Sequence, residues 1–302
     1  MSATHYPSHV TAHRIVVLIG AEGMLAQKVK TCCPEDCDLH SFDLPGFDLT
    51  SPLEAKKQLR ALNPSLIINC AAYTDVDGCE SNAGLAMHVN GDGPGVLAET
   101  AVEMGATLVH VSTDYVFDGT ATRPYLEDET PAPRSVYGRS KLAGERAIQA
   151  SELKRYYIVR TSWLYGPGGK NFVGTMVRLG SERDELRVVA DQRGCPTYTG
   201  DLAKAIFALL KSSAPYGTYH FANRGECSWH EFAEAILAEA ARVGAPIVTK
   251  SVVPIGTEDY PLPAPRPAYS VLSKEKFEKA TGMTAPDWRE SLKTFFNNDW
   301  RA

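Results

Sequence analysis

The chain has 302 residues, 44% hydrophobic and 22% charged, with a net charge of −5 at pH 7. That length can bury a full core plus a smaller lobe, and the acidic balance excludes a basic face for nucleic acid or an anionic membrane. No apolar run approaches the roughly 20 residues that span a bilayer. The N-terminus lacks the charged-then-apolar pattern of a signal peptide. Seven cysteines without regular spacing read as reduced thiols of a cytoplasmic protein.

Residues 1–13 read as a flexible tail, although His5, His9 and His13 fall at helical spacing there. Arg14-Ile15-Val16-Val17-Leu18-Ile19 is apolar after its first residue, which predicts a strand buried on both faces of a parallel sheet. Gly20-Ala21-Glu22-Gly23-Met24-Leu25-Ala26 follows at once, and a helical pattern follows that. A glycine turn between a first strand and a first helix lets a pyrophosphate approach backbone amides at the positive helix end. The spacing is Gly-x-x-Gly rather than Gly-x-Gly-x-x-Gly, and an ordinary strand-to-helix turn is the plain alternative. Gly20, Gly23, Met24 and Leu25 are the candidates for the phosphates, and Ala26 is small enough for close helix–sheet packing.

Cys32, Cys33 and Cys37 cluster with His40 close behind, but form no Cys-x-x-Cys pair, and no metal is predicted. A second strand at 39–42 ends in Asp43, about 20 residues past Gly23, where an acid commonly binds a ribose 2′-hydroxyl. Asp43 and Glu22 repel a 2′-phosphate, which favours NADH over NADPH. Asp48 and Leu49 are further adenosine candidates, and Thr50 reads as the N-cap of a helix over 51–62.

The third strand, Ser65-Leu66-Ile67-Ile68-Asn69, ends in Cys70-Ala71-Ala72-Tyr73-Thr74. Ligands of open α/β sheets bind at the carboxyl ends of strands, and small residues there let a cofactor lie against the chain. The fourth strand, Thr107-Leu108-Val109-His110-Val111, ends in Ser112-Thr113-Asp114-Tyr115, rich in hydroxyls where a nicotinamide would lie. A hydroxyl there can bond a substrate carbonyl and a catalytic phenol; a polar turn is the alternative. Ala71, Ala72, Tyr73, Thr74 and Val111 are therefore cofactor candidates. A loop at 115–134, with one glycine and three prolines, is expected to lie over the substrate.

Tyr137 and Lys141 stand four apart in a helical segment, on one face. The ammonium is expected to pull the phenol pKa from about 10 toward working pH, giving a proton donor for a carbonyl being reduced. A solvated helix face is the plain reading of the motif alone. The fifth strand, at 156–159, ends in Arg160-Thr161-Ser162-Trp163. Strand and helix patterns alternate to about residue 165, which predicts a Rossmann-like, doubly wound parallel α/β sheet over 14–165. Segments from 166 to 302 are assigned mainly to a smaller substrate-binding lobe, with some returning to the sheet. Trp229 reads as the anchor of a helix capped by Ser228, and Trp288 and Phe295 read as core. Asp191 is expected to order its own loop. Arg193 and Arg266 each fit a substrate phosphate or a structural ion pair.

Taken together, the Gly20–Leu25 turn, the block from Asn69 to Asp77, the block from Ser112 to Gly119 and Tyr137-Gly138-Arg139-Ser140-Lys141 resemble those of extended short-chain dehydrogenases. With Arg160-Thr161-Ser162-Trp163, Asn171-Phe172, Asp191-Gln192-Arg193-Gly194-Cys195-Pro196-Thr197 and Arg266-Pro267, the set is similar to the dTDP-4-dehydrorhamnose reductase family. The likeness implies an NAD(P)H-dependent reduction of a nucleotide-linked 4-keto sugar, the last step of dTDP-L-rhamnose synthesis. It implies Tyr137 as proton donor, Lys141 on the nicotinamide ribose and Thr113 polarising the carbonyl. It further implies Asp114, Tyr115, Trp163 and Asn171 toward the sugar nucleotide, and a homodimer as the usual assembly. A reductase of another nucleotide-linked 4-keto sugar would share this fold and these catalytic residues; a related branch binds the cofactor as a regulatory subunit of methionine adenosyltransferase, and the intact Tyr137, Lys141, Thr113 and Trp163 favour an enzyme.

Overall fold

The computed structural model describes residues 14–301; the tail expected over 1–13, with its three histidines, lies outside the described residues. The first half runs β1 (Arg14–Ile19), α1 (Met24–Cys32), β2 (Cys37–Phe42), α2 (Pro52–Leu62), β3 (Leu66–Asn69), α3 (Val76–Ser81) and α4 (Ala83–Met87). A π-helical turn (His88–Asp92) then leads into α5 (Gly93–Met104), β4 (Thr107–Thr113), a short 3-10 turn (Asp114–Val116), α6 (Val136–Ala150) and β5 (Tyr156–Thr161). Helix boundaries follow local chemistry: Pro52 opens α2, Gly105 closes α5 in the left-handed region, and the Ser135 hydroxyl caps α6 by accepting from Gly138 N.

The second half runs β6 (Leu164–Tyr165), α7 (Phe172–Glu182), β7 (Glu185–Val189), β8 (Arg193–Gly194), β9 (Thr197–Tyr198), α8 (Thr199–Lys211), β10 (Gly217–His220) and β11 (Cys227–Ser228). It continues through α9 (Trp229–Arg242), β12 (Ser251–Ile255), α10 (Glu275–Thr281) and α11 (Trp288–Asn298). Six strands form one parallel sheet in the order β10-β5-β4-β3-β1-β2. The winding reverses between β1 and β3, the point at which doubly wound sheets open a crevice. Leu25 and Val29 of α1, Leu202 and Ile206 of α8 and Phe277 of α10 bury one face of the sheet. Leu59 of α2, Leu97 of α5 and Ile148 of α6 bury the other. A separate cluster holds the remaining elements together, with Val173 and Val177 of α7, Leu186 of β7, Phe232 and Ile236 of α9 and Trp288 and Phe295 of α11. Among the described residues, no helix is long and apolar enough to cross a membrane.

Two local expectations are corrected and a third is extended. Thr50 is not the cap of α2: Ser51 occupies that position, and the Thr50 hydroxyl turns back to Asp48 Oδ1 at 2.8 Å. The 115–134 loop does not cover the crevice beyond Tyr115. Its aromatics Phe117 and Tyr125 stack at 4.3 Å and bury themselves with Leu142 and Leu272, which draws the loop onto the 269–273 segment. Asp191 orders more than its own loop: it also holds a remote turn, accepting from Thr257 N at 2.9 Å and Thr257 Oγ1 at 2.7 Å. Ser228 caps α9 as expected, in a reciprocal capping box with Glu231.

Candidate active site

A cleft of about 770 Å³ runs along the carboxyl ends of β1, β3 and β4 and reaches the residues after β5. At one end lies the glycine turn. Gly20 has φ +77°, and a Cβ there would stand 2.6 Å from Ala71 N and 2.7 Å from Ala71 Cα. Only glycine closes this crossing of two strand ends. Gly23, at the N-cap of α1, brings no side-chain acceptor, so the first amides of α1 keep open donors toward the cleft. The backbone-lined cradle and positive helix end fit a pyrophosphate. Met24 and Leu25 line this end, and Asp43, Asp48 and Leu49 line the wall beside it. The Asp43 carboxylate accepts from Glu22 N and Leu44 N, both at 2.7 Å, which fixes it at the mouth of the turn.

Toward the other end, Ala71, Ala72, Thr74 and Val111 line the cleft as the sequence predicts. Tyr73 does not. Its backbone is held instead by buried Asn90, whose Oδ1 accepts from Tyr73 N at 2.8 Å and whose Nδ2 donates to Tyr73 O at 3.0 Å. Asn90 Nδ2 also reaches Ser140 Oγ at 3.0 Å, and Ser140 donates to Tyr137 O at 2.8 Å. Thus the π-helical turn ties the β3 end to α6. Glycine keeps α6 close: a Cβ at Gly138 would meet Tyr115 O at 2.2 Å, and one at Gly144 would meet Asn90 O at 2.2 Å.

Thr113, Asp114, Tyr115, Tyr137, Lys141 and Trp163 converge on this part of the cleft. Lys141 is buried and donates from Nζ to Val111 O at 2.7 Å, with His110 Nε2 at 3.3 Å. Burial lowers its pKa to about 8, against the opposing charges of Glu145 and Cys70. The Tyr137 phenol is not pulled down as expected. Burial pushes it above its ordinary value, against a hydrogen bond with Thr113, and nearby Asp114 adds to the rise. Tyr137 is therefore a held proton, not a phenol half ionised in advance. Burial likewise raises Asp114 to about 6, opposed by the Ser270 and Thr113 hydroxyls.

Trp163 sits in the left-handed region at φ +47°, uncommon for a bulky residue. Its ring stacks on Trp229 at 3.5 Å and 7°, and a Cβ at Gly194 would stand 2.4 Å from it, so the indole is gripped from both sides. Asn171, expected at the substrate, lies outside this cleft. Its Oδ1 caps α7 by accepting from Gly174 N at 3.0 Å, and its Nδ2 donates to Gly166 O at 2.9 Å and Gly169 O at 3.0 Å. Arg193 pairs with Glu226 at 2.9 Å, and Arg266 pairs with Asp77 at 2.7 Å. Neither arginine lines the cleft.

Ser112, Ser162, Gly168, Gly169 and Lys170 also line the cleft and were not predicted. The string Gly168-Gly169-Lys170 was the readable signal for a basic, glycine-rich rim. Behind the cleft, Glu145 accepts from Arg160 Nη2 at 2.7 Å, from Arg160 Nε at 3.0 Å and from Ser112 Oγ at 2.5 Å, all buried.

A doubly wound sheet, a glycine turn at the first helix and a Tyr–Lys pair beside a hydroxyl-bearing fourth strand define a protein of the short-chain dehydrogenase/reductase type. More narrowly, the chain belongs to the RmlD substrate binding domain family, which matches residues 14–300. The spore coat polysaccharide biosynthesis protein SpsK of Bacillus subtilis is 46% identical over 232 residues, 77% of this chain and 78% of that protein. The dTDP-4-dehydrorhamnose reductase of Escherichia coli K12 is 39% identical over 264 residues, 86% of this chain and 88% of that protein. A solved dTDP-4-dehydrorhamnose reductase from Bacillus anthracis, in complex with NADP, superposes with a TM-score of 0.89 at 41% identity, covering 95% of this chain and 99% of that one.

Proposed function

We propose that this chain reduces dTDP-4-dehydro-β-L-rhamnose to dTDP-L-rhamnose with NAD(P)H. The observation that carries the reading is the convergence of Tyr137, Lys141 and Thr113 in the cleft that begins at the Gly20–Gly23 cradle. The nicotinamide cofactor, when bound, supplies the hydride that reaches C4 of the sugar. Gly20, Gly23, Met24 and Leu25 hold its pyrophosphate, Asp43, Asp48 and Leu49 its adenosine, and Ala71, Ala72, Thr74, Val111 and Lys141 its nicotinamide side. As charge gathers on the C4 oxygen, Thr113 donates to it and Tyr137 passes its proton there; such acid help contributes typically 10²–10⁴-fold. Asp114, Tyr115 and Trp163 contact the sugar nucleotide. Residues 14–165, with the returning strand β10, make the cofactor-binding unit, and most of 166–302 the substrate lobe.

Asp43 and Glu22 at the mouth of the turn favour NADH, whereas the Bacillus anthracis relative is described with NADP. The assay is near-ultraviolet absorbance of the reduced nicotinamide, with dTDP-4-dehydro-L-rhamnose added and the two cofactors run in parallel. Rapid oxidation is expected, faster with NADH. No oxidation with either, despite cofactor binding, overturns the reading. The seven free thiols and the family likeness support a cytoplasmic homodimer, which light scattering after size exclusion tests for assembly.

A further inference from the structure

Beside the Tyr137–Lys141 pair lies a buried chain with no role assigned above. Asn69 and His110 are register partners on β3 and β4, both fully buried. Asn69 Oδ1 accepts from Ala71 N at 3.1 Å, which fixes the amide, because the reverse orientation would set NH₂ against N–H. Asn69 Nδ2 therefore points at His110 Nδ1, 3.0 Å away. An amide NH₂ only donates, so Nδ1 must be bare. A neutral imidazole with a bare Nδ1 carries its proton on Nε2, which faces Lys141 Nζ at 3.3 Å. An ammonium has three donors and no acceptor, and cannot receive that N–H. A neutral amine has a lone pair for it and still donates to Val111 O.

We propose that Asn69 and His110 are positioning residues that fix the imidazole tautomer, so that His110 Nε2–H faces Lys141 and disfavours its ammonium form before cofactor and substrate bind. The titratable groups that act on Nζ are Glu145 on α6, Cys70 after β3 and His110 on β4. Glu145, the carboxylate among them, is already tied to Arg160 and Ser112. Burial keeps His110 well below its usual range and so neutral. The ammonium that would stabilise a phenolate is then the disfavoured form of Lys141. Only the effect on turnover rests on the reductase reading.

The first test is long-range ¹H–¹⁵N correlation on cofactor-free protein labelled at histidine, with His110 assigned through the backbone. A proton on Nε2 and a bare Nδ1 are expected. A proton on Nδ1, or an imidazolium, overturns the proposal. No activity is needed, so this outcome is separate from failure of the sugar reduction. The second test is Asn69→Asp, which keeps the acceptor for Ala71 N but presents an acceptor to Nδ1. His110 is expected to switch to Nδ1–H, and the Lys141-linked limb of the kcat/KM pH profile to move up by at least about one unit. A switched tautomer with an unmoved profile overturns the link to Lys141. If this variant does not fold, the tautomer of the unsubstituted protein decides.

Discussion

Replacing Arg160 with methionine should be among the most damaging single changes in this chain, although Arg160 lies behind the cleft. Its guanidinium gives Glu145 three contacts of 2.7, 3.0 and 3.2 Å, and both side chains are buried. Without it, Glu145 keeps a single donor, Ser112. Breaking a buried pair by removing one partner costs about 3–5 kcal/mol, because a charge is left uncompensated away from water. Removing both, as Arg160→Met with Glu145→Leu, takes away the charge and its compensation together. It leaves the Ser112 hydroxyl without its acceptor and removes the longer contacts of Arg160 to His220 Nε2 and Glu127 O, a loss of about 1–2 kcal/mol. Urea unfolding followed by far-ultraviolet circular dichroism reads the difference. With a slope of about 3 kcal/mol/M, the single variant should lose roughly 1–1.7 M in midpoint and the double variant less than about 0.7 M. A single variant within about 0.3 M of the parent, or a double variant no better than the single, would refute the assignment of a buried, mutually compensated pair.

Tyr137→Phe should retain cofactor binding by fluorescence titration while losing about 10²–10⁴-fold in turnover; near-normal turnover would remove Tyr137 as proton donor. Gly138→Ala forces a methyl against Tyr115 O, which stands 2.2 Å from the site of a Cβ. The expected cost is about 1–3 kcal/mol of stability with a lower kcat, and an unchanged kcat would show that α6 can shift freely. Asn171→Ala removes the α7 cap and should lower stability by about 1–2 kcal/mol with the sugar-nucleotide KM little changed, whereas a large KM rise would restore a substrate role. Asp114 in the folded protein keeps its proton up to about pH 6, against an ordinary 3.8. The folded state binds more protons than the unfolded state in that window, so stability falls as pH rises from about 4 to 6, by up to roughly 3 kcal/mol. Asp114→Asn should abolish that part of the fall in pH-dependent unfolding; an identical pH curve would count against it.

The parts of the site that the sequence exposed are those that act through backbone or neighbouring positions. Gly20 and Gly23 announce a turn because few residues can make it, and Tyr137 and Lys141 share a face by helix geometry alone. What the sequence concealed depends on register and packing. Tyr73 and Asn171 stand among true lining residues, yet Asn90 holds the backbone of Tyr73, and Asn171 faces the carbonyls of its own loop. Nothing local pairs Asn69 with His110; that needs the β3–β4 register. The rise of the Tyr137 pKa was equally hidden. Four-residue spacing brings the ammonium near, but burial governs the phenol, and the Val111 carbonyl takes up Lys141.

The stacked indoles of Trp163 and Trp229, 3.5 Å apart and nearly parallel, have an optical consequence. Two such chromophores at that separation couple their electronic transitions and quench one another, giving a near-ultraviolet dichroic couplet that isolated tryptophans lack. One indole faces the cleft and the other does not. Any ligand that tilts Trp163 out of register with its neighbour therefore alters the couplet, and the protein carries its own spectroscopic gauge of what enters the cleft.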